Sequence, residues 1–197
     1  MDIFGASDSK YIVKKDGAPT NHNTETFKGF WSEKLGGASK SLNSTMIKVG
    51  NAYEHPILDA IDSDITKDGQ IILEKYKLRV NYDGYKDGII YEIKCHKAET
   101  EFDTSNYWWQ CQIEMFVYKE MHKQWFLPPF KKLMLVSYPV YLDERNAIER
   151  GDYSNIVIDP KRWNMQEIVY DSVSVKGKYL PALKPLIRAL KKGKFPG

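Results

Sequence analysis

The sequence predicts an α/β fold, with a central mixed β-sheet flanked by helices in a single domain, and three observations predict it. First, Lys75, Lys77, Arg79, Asn81 and Asp83 alternate with Tyr76, Leu78, Val80 and Tyr82, the period of two of a half-buried strand. Second, Ile89 to Cys95 reads as a strongly apolar strand, joined to the first by the turn-forming Lys86-Asp87-Gly88. Third, helical apolar patterns bracket this hairpin, Met46 to Ile61 before it and Tyr107 to Tyr118 after it.

Taken in order, Thr24 to Leu35 predicts a short amphipathic helix carrying Phe27, Phe30 and Trp31, and Gly36 to Asn43 a small-residue loop. Ser44 caps the helix that follows, and Pro56 is expected to kink or restart it. After the hairpin, Trp109, Ile113, Phe116 and Val117 make one stripe of the next helix, which Pro128-Pro129 closes off. Lys132 to Tyr138 predicts a further strand, and Ile156 to Ile158 an extension of the sheet. A last helix spans about Leu180 to Lys192, with Pro181 allowed in its first turn and Pro185 expected to disturb it.

Composition bounds the function classes. A chain of 197 residues with 42% hydrophobic content and no Gly/Ser/Pro-rich linker is expected to build one core over residues 1–197. No stretch approaches the roughly 18 apolar residues of a membrane span, and no charged-then-apolar signal pattern opens the chain, so a cytoplasmic protein with no membrane partner is expected. Cys95 and Cys111 lack C-x-x-C spacing, which argues against a disulfide framework or an iron–sulfur cluster. His22, His55, His96 and His122 lack zinc-ligand spacing. His96, just past Lys94, lies near the candidate chemistry in sequence, with a surface or structural role as its default.

Net charge is only +3, yet the last 20 residues hold Lys178, Lys184, Arg188, Lys191, Lys192 and Lys194 and no acid. Such a tail suits a polyanion, or equally a helix C-terminus whose dipole favours cations. Lys75, Lys77 and Arg79 lead directly into Asp83 and are the preferred polyanion contact.

The candidate chemistry sits at Asp83, Glu92 and Lys94. Glu92 and Lys94, two apart on a strand, share one side, and the hairpin brings Asp83 to them. Two carboxylates beside an ammonium make a hard-cation site, and Mg²⁺, or Mn²⁺ in its place, bound there can polarise a phosphodiester and lower the pKa of a water. The alternative is an ordinary exposed cross-strand pair.

These pieces form a series: Gly50-x-x-x-Glu54 on a helix, Asp83-Gly84 at a strand end, Glu92-x-Lys94-Cys95, and a helix with Gln110-x-Gln112 followed by Met115 and Phe116. In that order the sequence resembles the PD-(D/E)xK nuclease superfamily, and more narrowly the bacteriophage lambda exonuclease and YqaJ-like viral recombinase family. Phe4 to Asp8 is similar to that family's N-terminal segment, so the resemblance covers residues 4 to 118, with its motif core over 44–122. It implies a restriction-endonuclease-like sheet in which Asp83 and Glu92 bind metal, Glu54 completes the acidic cluster and Lys94 assists the nucleophilic water. Gln112 would line the site, and Ser7 would contact DNA phosphate; Arg79, from the basic run and not from the resemblance, is the other expected DNA contact. From the residues alone, Gln110 and Gln112 flank the Trp109 stripe equally, and only the resemblance favours Gln112. Met1 to Phe4 hold no basic residue, where the family places an arginine for the 5′-phosphate.

The implied activity is a Mg²⁺-dependent 5′-to-3′ exonuclease on double-stranded DNA ends in phage recombination, within a bacterial host's cytoplasm. A ring-shaped homotrimer and a single-strand annealing protein as partner are implied with it. The alternatives are an endonuclease or single-strand nuclease of the same superfamily, or a non-catalytic DNA-binding or inhibitor protein on the same fold.

Overall fold

In a computed structural model, which describes residues 3–37, 44–122, 124 and 126–196, the chain opens with β1 (Phe4–Gly5), a 3₁₀ turn at Ala6–Asp8 and α1 (Ser9–Ile12). Helix α2 (Glu25–Lys34) begins where the Phe27 N–H donates to Thr24 Oγ1 at 3.2 Å, and it buries the three expected aromatics. Most of the expected 36–43 loop lies outside the described residues. Ser44 caps α3 (Thr45–Ile61) in the same way as Thr24 caps α2. No restart occurs at Pro56: the missing N–H removes one helical bond, while buried Val49, Tyr53, Ile57 and Leu58 anchor the helix on both sides of it.

Strand β2 (Thr66–Leu73) had no counterpart in the sequence pattern. A 3₁₀ turn at Glu74–Tyr76 follows, with Lys77 at φ 52°, and only then β3 (Leu78–Lys86). Lys75 and Lys77 are therefore not on the strand face that carries Asp83, which corrects the basic run: Lys77 pairs with Glu74, and Arg79 alone continues toward Asp83. Asp87 and Gly88 both take positive φ, 51° and 83°, the two-residue hairpin geometry, and β4 (Ile89–Lys97) returns from it. Helix α4 (Trp108–Met121), β5 (Lys132–Val140), α5 (Leu142–Glu149) and β6 (Asn164–Ile168) complete the centre. Ile156 to Ile158 forms no strand. Ile156 and Ile158 pack beside the core while Val157 is exposed, and β6 takes the sheet edge instead. Short α6 (Ser172–Ser174) runs through a π-helical turn at Val175–Tyr179 into α7 (Leu180–Lys191), which accommodates Pro185.

Among the described residues the strands form one mixed sheet of six. Strand β2 pairs antiparallel along β3 from Leu78 to Tyr85, and so occupies one edge of it. The opposite edge is shared: β1 pairs parallel at Leu78 and Arg79, and β4 antiparallel at Gly84, Tyr85 and Lys86. Between these two partners β3 has no neighbour on that edge among the described residues, so the sheet forks. Helices α2, α4 and α7 pack on one side around Trp31, Phe116 and Leu186, and α3 and α5 on the other around Tyr53, Ile57 and Ile148. Among the described residues no helix is long and apolar enough to cross a membrane.

Candidate active site

The fork in the sheet is also a cleft, of about 170 Å³. Gly5, Ala6 and Ser7 line it from the β1 side, Arg79, Asn81 and Asp83 from β3, Glu92 and Lys94 from β4, and Gln110 and Glu114 from α4. The hairpin ladder ends at Gly84 opposite Tyr91, so the next rung would set Asp83 against Glu92. Like charges opposite one another oppose pairing. Asp83 instead turns one oxygen across the gap, where Oδ2 accepts from the Ile93 N–H at 2.7 Å.

Glu92 is 1% exposed. Its Oε1 accepts from the Lys94 ammonium and from Gln110 Nε2, the latter at 2.6 Å, while Oε2 is buried with no partner among the described residues. The other hydrogen of Gln110 Nε2 reaches Glu114 Oε1 at 2.9 Å, so one amide bridges two carboxylates. Glu114 is fully buried, and its Oε2 is likewise unpartnered. The Lys94 ammonium also lies over the Tyr107 ring, 5.4 Å from its centre.

Burial raises the Asp83 carboxyl well above its ordinary value, and the charge of Glu92 adds to this. Glu114 is raised by the same two causes in the same order. Burial opposes the charge on Lys94, but Glu92 and Asp83 outweigh it and hold that pKa above the usual lysine value. Lys94 is therefore held as an ammonium beside Glu92.

Glu54 approaches from α3, on the other side of the sheet. Burial and then the charge of Glu92 raise its carboxyl. Its oxygen lies within 4.8 Å of ligand atoms of His55 and Asp68, and among the described residues no other His, Cys or carboxylate trio gathers that closely. His55 Nε2 meets Asp68 at 3.0 Å.

Gln112 requires a correction. It is fully buried, but away from the cleft: Nε2 donates to the Val169 carbonyl at 2.8 Å and Oε1 accepts from the Asp171 N–H at 2.7 Å. Its amide ties the β6–α6 connection to α4, and Gln110 holds the cleft position. His96 packs on Phe102 and lies near the Lys97 carbonyl, outside the cleft lining. Glu114 and Asn81 were not anticipated. For Glu114 a signal existed, since an acid four residues after Gln110 shares its helical face.

The carboxylates suit a hard divalent cation such as Mg²⁺. The free, buried Oε2 of Glu92 is an oxygen donor without a partner, and Asp83 keeps Oδ1 outside its bond to Ile93.

No protein-family model matches the sequence, and no curated protein matches it. Among solved structures the chain is similar to the phage-related exonuclease from Haemophilus somnus 129PT, with a TM-score of 0.65 and 13% identity over 96% of this chain and 95% of that one. It is similar also to the alkaline exonuclease from Laribacter hongkongensis, with a TM-score of 0.62 and 13% identity over 97% and 89% of the two chains. The likeness is one of architecture, and the chain has the α/β fold of these two exonucleases, the fold that the resemblance to the PD-(D/E)xK superfamily implies.

Proposed function

We propose that this protein is a divalent-metal-dependent deoxyribonuclease, and specifically a 5′-to-3′ exonuclease acting on ends of double-stranded DNA. The observation that carries the proposal is the fork, where Asp83, Glu92, Lys94 and Gln110 converge on a cleft containing a buried, unpartnered carboxylate oxygen. The fold of two exonucleases supports it.

Asp83 and Glu92 would hold Mg²⁺, with Glu54 as a further acid nearby. Bound there, Mg²⁺ would supply Lewis acidity toward a phosphodiester oxygen and acidify a water. Lys94 keeps a fixed positive charge beside Glu92, suited to orienting the water and to neutralising charge that develops on the phosphate. Gln110 fixes the rotamer of Glu92. At the other wall of the cleft, Ser7 and Arg79 supply a hydroxyl and a guanidinium for a terminal phosphate. Arg79, from β3, provides the guanidinium that Met1 to Phe4 lack. The same reading extends to a homotrimer, which light scattering would measure, and to a single-strand annealing protein as partner.

The test is incubation with linear and covalently closed circular duplex DNA, in Mg²⁺ or EDTA, beside a Lys94→Ala control. Mg²⁺-dependent loss of the linear DNA alone, absent in the variant, is expected, and end-labelling then reads polarity. Cutting of the circle would replace the exonuclease with an endonuclease. Intact DNA in every lane, or an active Lys94→Ala protein, would overturn the chemistry.

A further inference from the structure

A second concavity, sharing no lining residue with the active-site cleft, lies between the Glu74–Tyr76 turn and the outer face of α7, with a volume of about 550 Å³. Its floor is apolar, made by Tyr76, Leu180, Leu183 and Ile187. Around it stand Lys75, Lys176, Lys184 and Arg188, all exposed, and no acidic residue lines it. None of the four makes an ion pair among the described residues.

Helix-dipole stabilisation does not account for this ring. Cations are favoured in the last turn of a helix, which fits Arg188. Lys176 lies near the start of the continuous helical segment that runs from Ser172 to Lys191, where the dipole opposes a cation, and Lys184 lies in its middle.

The charge invites an anion, and the floor decides which kind. A phosphate backbone gains nothing from aliphatic side chains, and single-stranded nucleic acid is bound by stacking on aromatic faces. The one ring here is engaged: the Lys75 ammonium lies 5.1 Å from the Tyr76 centroid, and Phe116 meets that ring edge-on at 5.3 Å. A peptide that combines carboxylates with bulky apolar side chains satisfies both features. The volume falls within the roughly 300–1,000 Å³ of ordinary ligand pockets, enough for apolar anchors.

We propose that this groove is a docking site for an acidic, apolar-anchored peptide segment of a partner protein. The carboxylates pair with Lys75, Lys176, Lys184 and Arg188, and the anchors cover Leu180 and Ile187. The site does not depend on the nuclease chemistry.

Fluorescence anisotropy of the full chain would test it with three labelled dodecapeptides: one alternating Glu with Leu and Phe, one with its Glu changed to Gln, and one with its apolar residues changed to Ser. A labelled DNA duplex completes the probe set. Binding of the first peptide at least tenfold tighter than of either control is expected. The double variant Lys184→Glu/Arg188→Glu should weaken that peptide by tenfold or more while leaving duplex binding and the circular dichroism spectrum unchanged. A second variant, Ile187→Ser, should weaken the peptide without altering charge. The proposal is overturned if the three peptides bind alike, if neither variant affects the first, or if charge reversal removes duplex binding, which would make the surface a nucleic-acid contact.

Discussion

Gln110 and Gln112 stand two residues apart on α4, and the structure gives them opposite roles that one pair of variants separates. In Gln112→Ala the Val169 carbonyl and the Asp171 N–H lose their partners, at 2.8 and 2.7 Å. Each unsatisfied buried group costs about 1–3 kcal/mol. Val169 is 75% exposed, so water can rehydrate its carbonyl and the lower part of that range applies there. Adding the void left by a fully buried side chain, the expected loss is about 2–4 kcal/mol. For a chain of this size that lowers Tm by roughly 5–15 °C. Activity measured well below both midpoints should be retained. Gln110→Ala should act chiefly on activity: Glu92 Oε1 keeps Lys94, but the carboxylate loses the amide that fixes it and kcat falls by roughly 10-fold or more, while Tm also drops because buried Glu114 Oε1 loses the same amide. Thermal unfolding by circular dichroism and initial rates on linear duplex read the two effects. A Gln112→Ala protein as stable as its parent yet inactive would refute the assignment.

Other expectations follow from the same geometry. Lys94→Ala should lower kcat by roughly 10²–10³-fold, read in single-turnover cleavage of linear duplex, with Mg²⁺ binding retained by calorimetry. Glu114 binds its proton more tightly when folded than when unfolded, so the stability it confers is complete below its ordinary value of 4.5 and is lost as pH rises toward the folded value. In EDTA, Glu114→Gln should therefore flatten the fall in Tm as pH rises above 4.5, though Asp83, shifted the same way, keeps part of the slope; parallel curves would refute the burial of a neutral acid. Gly88→Ala would place a Cβ 2.1 Å from the Pro129 carbonyl oxygen at φ 83°, costing about 2 kcal/mol or more in urea unfolding. Ser7→Ala and Arg79→Ala should each reduce the preference for 5′-phosphorylated over 5′-hydroxyl duplex ends, Arg79 by about tenfold, as befits a charged hydrogen bond. An unchanged preference would remove them from end recognition.

Periodicity made the centre of this fold legible. The Lys86-Asp87-Gly88 turn, the apolar β4 and the two bracketing helices lie where alternation and 3.6-residue spacing put them, because each buries one face against the sheet. Strand β2 escaped because its first half, Thr66 to Gln70, is polar and largely exposed, leaving no alternation to detect. The Glu74–Tyr76 turn escaped because its residues continue the polar–apolar rhythm of β3 by accident of composition. At the site, Asp83, Glu92 and Lys94 were readable as a spacing on a hairpin. The choice between Gln110 and Gln112 was not: α4 is buried on nearly all sides from Trp109 to Tyr118, so an apolar stripe does not mark which flank meets β4. Glu114 stayed hidden for the same reason, as a carboxylate inside an apolar stretch whose partner is a glutamine.

The oxygen of Asp83 that reaches across the fork has a practical corollary for anyone preparing an inactive control. On the proposed reading that side chain does two jobs with two atoms: Oδ2 substitutes for a missing rung of the ladder by receiving the Ile93 N–H, and Oδ1 would be left for the metal. Truncation to alanine would remove both at once, freeing a strand end as well as a ligand, and a dead protein would not reveal which loss killed it. Asparagine retains a carbonyl for the Ile93 N–H and discards the negative charge. It is the substitution that silences the reactive half of the residue while the sheet keeps its shape.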